Sequence, residues 1–434
     1  MNYNTIIILP LFTLFLISFL IGNAATNLVS TLLLAYLLII FFKSKNNIKN
    51  ILIDKINIRI GICFSILSLY VLINSLYALE SVDSIFRAIT FIKSILVIFL
   101  FYHFINNDLK NVKVFSNIFL FFLSYIIFTT IFQSITGESF FREFYPTDNR
   151  LSGPFGDELV VGTVLSKLSF LTFYILNNIM KINKIIYFLI IALISYCIII
   201  SGERNALILY LIYISIYFLI LTIQKKNLKI FFNFILVISI ILSVFAYNIK
   251  KSNYFDHYSK NKLDQLLYQE GSEYFQNKIL LIFDRHVGET LDHIREINES
   301  DYYKLFKSGY MIWKENIFLG VGLKNFRNEC PLALDNLRDK DLYSCNMHPH
   351  NFLLELLAEI GVFGLVLFVF FFTLLIKKFF LKRDYLAWLT IFIQLTPLVN
   401  SSFFSTFNIN IFLVTFMLVI MVTSYNKQYQ DLSV

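Results

Sequence analysis

"KIIYFLIIALISYCIII" (Lys184–Ile200) runs through "SGE" (Ser201–Glu203) directly into "RNALILYLIYISIYFLILTIQKK" (Arg204–Lys226). Two apolar runs, each long enough to cross a hydrocarbon core about 30 Å thick, are joined by a turn too short to be a domain. Lysines close both far ends: Lys184 on one run, Lys225 and Lys226 on the other. Membrane-spanning strands alternate apolar and polar residues, and these runs do not. The stretch therefore predicts a helical hairpin across a membrane, with Glu203 and Arg204 at its bend.

The same pattern recurs along most of the 434 residues. Hydrophobic residues make up 57%, charged residues only 15%, and the mean hydropathy is +0.68. A soluble chain would carry about 25% charge, and water could not solvate this surface. Apolar spans are expected at 4–22, 27–42, 59–79, 88–105, 114–136, 159–179, 183–201, 205–223, 228–248, 350–376, 384–400 and 406–424. The span at 159–179 carries Lys167 inside it. This predicts an all-α polytopic membrane protein of about twelve transmembrane helices with one long extramembrane loop. The expected partition is helices one to nine in 1–248, a loop domain in 249–349, and helices ten to twelve in 350–434. "GNAATN" (Gly22–Asn27) has the small residues of a cleavage site, but "MNYNT" supplies no n-region cation. The first span is expected to be retained.

Short-loop cations orient the spans. Lys43, Lys45, Lys49 and Lys55 follow span two, Lys110 and Lys113 span four, Lys181 and Lys184 span six, Lys225, Lys226 and Lys229 span eight, and Lys377, Lys378, Lys382 and Arg383 span ten. The intervening loops are poor in cations. Both termini are thus expected in the cytoplasm. The net charge of +8 is explained by topology and anionic headgroups, and no nucleic-acid partner is expected. Three segments fall on the outer face: "RLSGPFGDELVVG" (Arg150–Gly162), "SGERNAL" (Ser201–Leu207) and the loop from about 249 to 349. Within that loop, "SDYYKLFKSGYMIWKEN" (Ser300–Asn316) reads as an amphipathic surface helix and "FLGVGLKNF" (Phe318–Phe326) as a glycine turn. Cys330 and Cys345 share the loop, fifteen positions apart, and are expected to pair in an oxidising compartment such as the bacterial periplasm. Cys63 and Cys197 lie inside spans as small packing residues.

"CNMHPHNFLLELLAEIGVFG" (Cys345–Gly364) then sets two histidines and an asparagine at the doorstep of an apolar helix. A helix starting near Pro349 would put His350, Leu357, Gly361 and Gly364 on one face, with Glu355 and Glu359 on the other. The glycines would let a neighbouring helix approach, and the N-terminus beside His350 and Asn351 would attract anions. Arg204 in its short turn, Arg150 before "LSGPFGDE" and Arg327 after the glycine turn have the planar fork that suits phosphate. A histidine base with arginines on a departing diphosphate suits a lipid-diphosphate donor and a hydroxyl acceptor. A capping histidine and snorkelling arginines are the alternative. Asp157, Glu158 and Lys167 are candidates for a structural ion pair. No metal site is expected: His348 and His350 are only two apart, and no Asp, Glu or Cys pattern completes a set.

These residues resemble the O-antigen ligase and polymerase superfamily of bacterial inner membranes. The ligase signature is a His, an Asn, Ser or Gln, nine residues, a Gly, two residues, then Gly, Thr or Tyr; His350, Asn351, Gly361 and Gly364 match it. "SGERNAL" is similar to the family's outer arginine turn and "LGVGLKNF" to its glycine turn. The resemblance runs from about Arg150 to the end of span ten. It implies a GT-C-like, metal-independent, cofactor-free inverting glycosyltransferase active on the periplasmic face. The donor would be a glycan on undecaprenyl diphosphate. Ligases pass it to lipid A–core sugar, and polymerases to another lipid-linked repeat unit. By resemblance His350 is the base and Arg204 a diphosphate ligand, with Arg150, Arg327, His348 and Asn351 as further substrate-binding candidates. A second family arginine is expected before the glycine turn, where this chain has Lys304 and Lys307. That role stays open among Arg295, Arg285 and Arg327. A lipid-linked oligosaccharide flippase or other transporter and a non-catalytic assembly protein are the other classes.

Overall fold

In the computed structural model the described residues are 3–43, 55–105, 111–140, 150–156, 158–226, 300–335, 340–379, 384–396 and 402–431. Among them the regular structure is helical, with no strand. The helices are α1 (Tyr3–Ile21), α2 (Asn23–Lys43), α3 (Lys55–Leu76), α4 (Ser81–Ile105), α5 (Val112–Thr136), α6 (Val161–Ile175), α7 (Lys184–Ile200), α8 (Arg204–Lys225), α9 (Asp301–Glu315), α10 (Phe326–Asp335), α11 (Phe352–Phe379), α12 (Tyr385–Phe392) and α13 (Thr406–Asp431). Ten of the twelve expected spans fall on described helices, the one at 384–400 is described only to residue 396 and is helical over Tyr385–Leu395, and the one at 228–248 lies outside the described residues. Seven of these helices are long and apolar enough to cross a membrane, and Ile7–Ile21, Lys184–Ile200 and Tyr385–Leu395 are apolar but shorter.

Side-chain placement explains why these helices form in lipid rather than water. On α3 the buried stripe is Ile60, Cys63, Leu67 and Val71, while Ile58, Ile62, Ile66, Leu69, Ile73 and Leu76 stand exposed. Both stripes keep helical spacing. An exposed apolar stripe of that length would be a sticky patch on a soluble protein, but it is the expected outer surface of a helix in a bilayer.

The chain sorts into two compact units. One gathers described residues of Met1–Tyr125, Lys167–Leu189 and Ile297–Val434, and the other those of Ile126–Ser166 and Ile190–Glu296. In the first, α13 is the central helix: 94% of its most apolar window is buried, against 22% for α2 at the periphery. It packs on α2, α4, α11 and α12, while α3 lies between α4 and α11. Gly22, with φ 135°, breaks the chain between α1 and α2, and Thr26 Oγ1 donates to the Ser18 carbonyl there at 3.1 Å. The "GNAATN" segment is thus a helix junction. Lys167 donates to Asn408 Oδ1 at 2.9 Å. Asp157 lies outside the described residues, as does the loop from 249 to 299.

Candidate active site

The glycine turn and the histidine motif, well apart in the sequence, are one piece of structure. α11 is not continuous: Gly361 has φ 63° and ψ −174°, which splits the helix. A break in a buried helix frees backbone groups that must find other partners, and here the turn after α9 supplies them. Val321 N donates to Ala358 O at 2.9 Å and Gly322 N to Glu359 O at 2.8 Å. In return Val362 N donates to Ile317 O at 2.9 Å and Phe363 N to Phe318 O at 3.3 Å. From α3, Tyr70 Oη donates to Ile360 O at 2.7 Å and Asn74 Nδ2 to Leu319 O at 2.6 Å.

The glycines are required by this crossing. A Cβ on Gly320 would lie 2.6 Å from the Glu359 carbonyl oxygen, and one on Gly361 2.7 Å from Gly320 N. A Cβ on Gly364 would meet the Tyr70 ring at 2.8 Å. So Gly361 admits a loop rather than the neighbouring helix expected, while Gly364 admits the neighbouring helix α3 through Tyr70, as expected.

The expected helix start at Pro349 is also corrected. His350 has φ 50°, a left-handed conformation that a non-glycine residue adopts only when its surroundings impose it. The helix begins at Phe352, with the Asn351 Oδ1 accepting from Leu354 N at 3.1 Å as its cap. His350 stands outside the helix, so the face it was to share with Leu357, Gly361 and Gly364 does not exist. Pro349 is buried against α9, where a Cβ on Gly309 would approach it to 2.9 Å. The half-buried His350 ring meets Tyr302 of α9 edge-on at 5.8 Å and the His348 ring at 4.1 Å. Burial lowers its pKa from the ordinary 6.5, and the Lys324 ammonium lowers it further.

Glu355 and Glu359 are both buried. Glu359 Oε2 accepts from Lys324 N at 2.8 Å. Glu355 Oε2 accepts from Phe403 N at 2.8 Å, while its Oε1 takes a short hydrogen bond from Ser402 Oγ and lies 3.8 Å from Lys324 Nζ. Lys324 Nζ also makes a short hydrogen bond to Ser402 Oγ. Sequence reasoning missed this set. Its signal was there in two carboxylates four apart inside an apolar span, where an ionisable residue requires a partner. Arg327 is ion-paired with Asp83 at the start of α4. Cys330 and Cys345 lie at disulfide distance, Sγ–Sγ 1.99 Å.

Arg150 and Arg204 belong to the other unit, where residues around the two turns form a buried polar junction. Glu203 accepts from Gly162 N at 2.6 Å, Thr163 N at 3.1 Å and Thr163 Oγ1 at 2.7 Å. It thereby satisfies free N–H groups at the start of α6, although burial still raises its pKa. Arg150 donates to Leu159 O at 2.8 Å and lies 3.9 Å from Glu203. Gln133 Oε1 accepts from Ser152 N at 3.0 Å and Gly153 N at 2.7 Å. Arg204 is the first residue of α8. Among the described residues, no group of three or more His, Cys, Asp or Glu side chains could hold a metal ion.

Residues 189–369 match the model of a family described as O-antigen ligase. A search of curated proteins finds no match to the chain. The matched segment contains Arg204, Arg327, His348, His350, Asn351 and both paired cysteines, whereas Arg150 precedes it.

Proposed function

We propose that this chain, which belongs through residues 189–369 to the O-antigen ligase superfamily, is a ligase: it transfers a glycan from undecaprenyl diphosphate to a sugar hydroxyl of lipid A–core. The observation that carries the reading is His350 itself. It sits at the mouth of α11 in a strained left-handed conformation that the packing of Pro349 on α9 and the Asn351 cap over-determine. Its surroundings favour the neutral imidazole a general base needs.

In this reading His350 accepts the acceptor hydroxyl's proton as that oxygen attacks the anomeric carbon. The bond from that carbon to the diphosphate breaks with inversion, and the diphosphate leaves with the bonding pair. Arg204 is the proposed diphosphate ligand, with Arg150 and Arg327 contributing positive charge from their ion pairs, and no metal or cofactor takes part. His348 and Asn351 border the base on its own segment. The reaction is placed on the periplasmic face of the inner membrane, with both termini cytoplasmic.

Ligases and polymerases share the donor and differ in the acceptor. The test is a transfer assay with purified full-length chain, lipid-linked glycan, and either lipid A–core or a second lipid-linked repeat unit. Transfer to lipid A–core alone is expected. Chain extension of the lipid-linked glycan would replace the ligase reading with that of a polymerase, and movement of donor across the bilayer without transfer would replace it with that of a flippase.

A further inference from the structure

Lys324 is a buried cation whose charge reaches His350, and the proposed reaction gives it no part. It lies on the glycine turn with φ 60°, its residue only 7% exposed. Two elements hold it. Its backbone N–H donates to Glu359 of α11, and its Nζ lies 3.8 Å from Glu355 one helical turn earlier. The same Nζ donates to Ser402, ahead of α13. Next to Ser402, Phe403 donates its N–H to Glu355 and sets its ring 5.1 Å from Phe352, two residues after His350. A buried ammonium is costly unless paired and hydrogen-bonded, and this one is both.

We infer that Lys324 is a positioning residue for His350: through Glu355 and Ser402 it fixes the first turn of α11, and its ammonium sets the charge that the imidazole faces. This rests on the general-base reading above. Among the described residues the imidazole meets His348 from its own segment and the Tyr302 ring from α9, and the Lys324 charge reaches it from the turn. Glu355 is held by Lys324 and Ser402, Glu359 by the Lys324 amide, and Arg327 by Asp83. Among the described residues, Lys324 is the charged group that lowers the His350 pKa beyond what burial does.

The test is Lys324→Met in the full-length chain, with Lys324→Arg as the charge-keeping variant. Two quantities are read: transfer as a function of pH, and the pH dependence of His350 acylation by diethylpyrocarbonate, which reacts with the neutral ring. In Lys324→Met the His350 midpoint is expected to move up toward the ordinary histidine value, and transfer near neutral pH to fall several-fold. Lys324→Arg should restore both. If Lys324→Met does not fold, Lys324→Met with Glu355→Gln replaces the buried pair by neutral groups, and the same upward midpoint is expected. An acylation midpoint unchanged in a folded Lys324→Met or double variant overturns the inference. An altered midpoint with transfer intact in His350→Ala keeps Lys324 as the residue that tunes His350 and removes the base, so the two failures are told apart.

Discussion

The left-handed conformations of Gly361 and His350 have different causes and tolerate different changes. Gly361 must be glycine: φ 63° with ψ −174° is a region essentially closed to L side chains, at a cost of about 1–3 kcal/mol, and here the Cβ would also run into Gly320. Gly361→Ala is therefore expected to lower the yield of folded protein severely. Gly61 offers the comparison, since it lies on α3 and a Cβ added there would have nothing within 4 Å. Gly61→Ala should stabilise the chain by about 0.5–1 kcal/mol. Thermal unfolding in detergent reads both, and a Gly361→Ala protein as stable as the parent would refute the interlocked crossing. This residue was visible in the sequence, but its role was not. A lone glycine in a helical pattern reads as a packing surface, and only the freed carbonyls of Ala358 and Glu359 show that the helix is broken there.

At the scale of elements, the segment bearing His348 and His350 is tied down on several sides. Ser344 N donates to Ser308 Oγ of α9 at 3.2 Å, Pro349 packs on Gly309, and Cys345 joins Cys330 of α10. Cys330 lies in a buried cluster with Leu305, Ile312, Val321, Phe326 and Ala358, which connects α9, the turn, α10 and α11. A cross-link across fifteen positions stabilises by about 3 kcal/mol. Cys330→Ser with Cys345→Ser is expected to lower the unfolding temperature while leaving transfer per folded molecule nearly intact, because α9 still holds the segment. Alkylatable thiols at both positions in protein taken from its native membrane would sink the pairing. The apolar runs and their lysine ends made the spans legible, since length and charge are local signals. The Lys324, Glu355 and Ser402 set was not legible, because Lys324 and Ser402 are 78 positions apart and no periodicity relates a turn to the approach of another helix.

The whole chain divides its candidate residues between two units, with Arg150 and Arg204 in one and His348, His350 and Arg327 in the other. Only the intact membrane protein therefore contains them all. The decisive measurement is glycan transfer per folded molecule by full-length His350→Ala, with folding followed independently by thermal unfolding. The account predicts a folded protein that still binds lipid-linked donor and whose transfer falls by about 10²–10⁴-fold, the usual contribution of a general base. His348→Ala should be milder. A well-folded His350→Ala protein that transfers glycan at close to the parent rate would contradict the account.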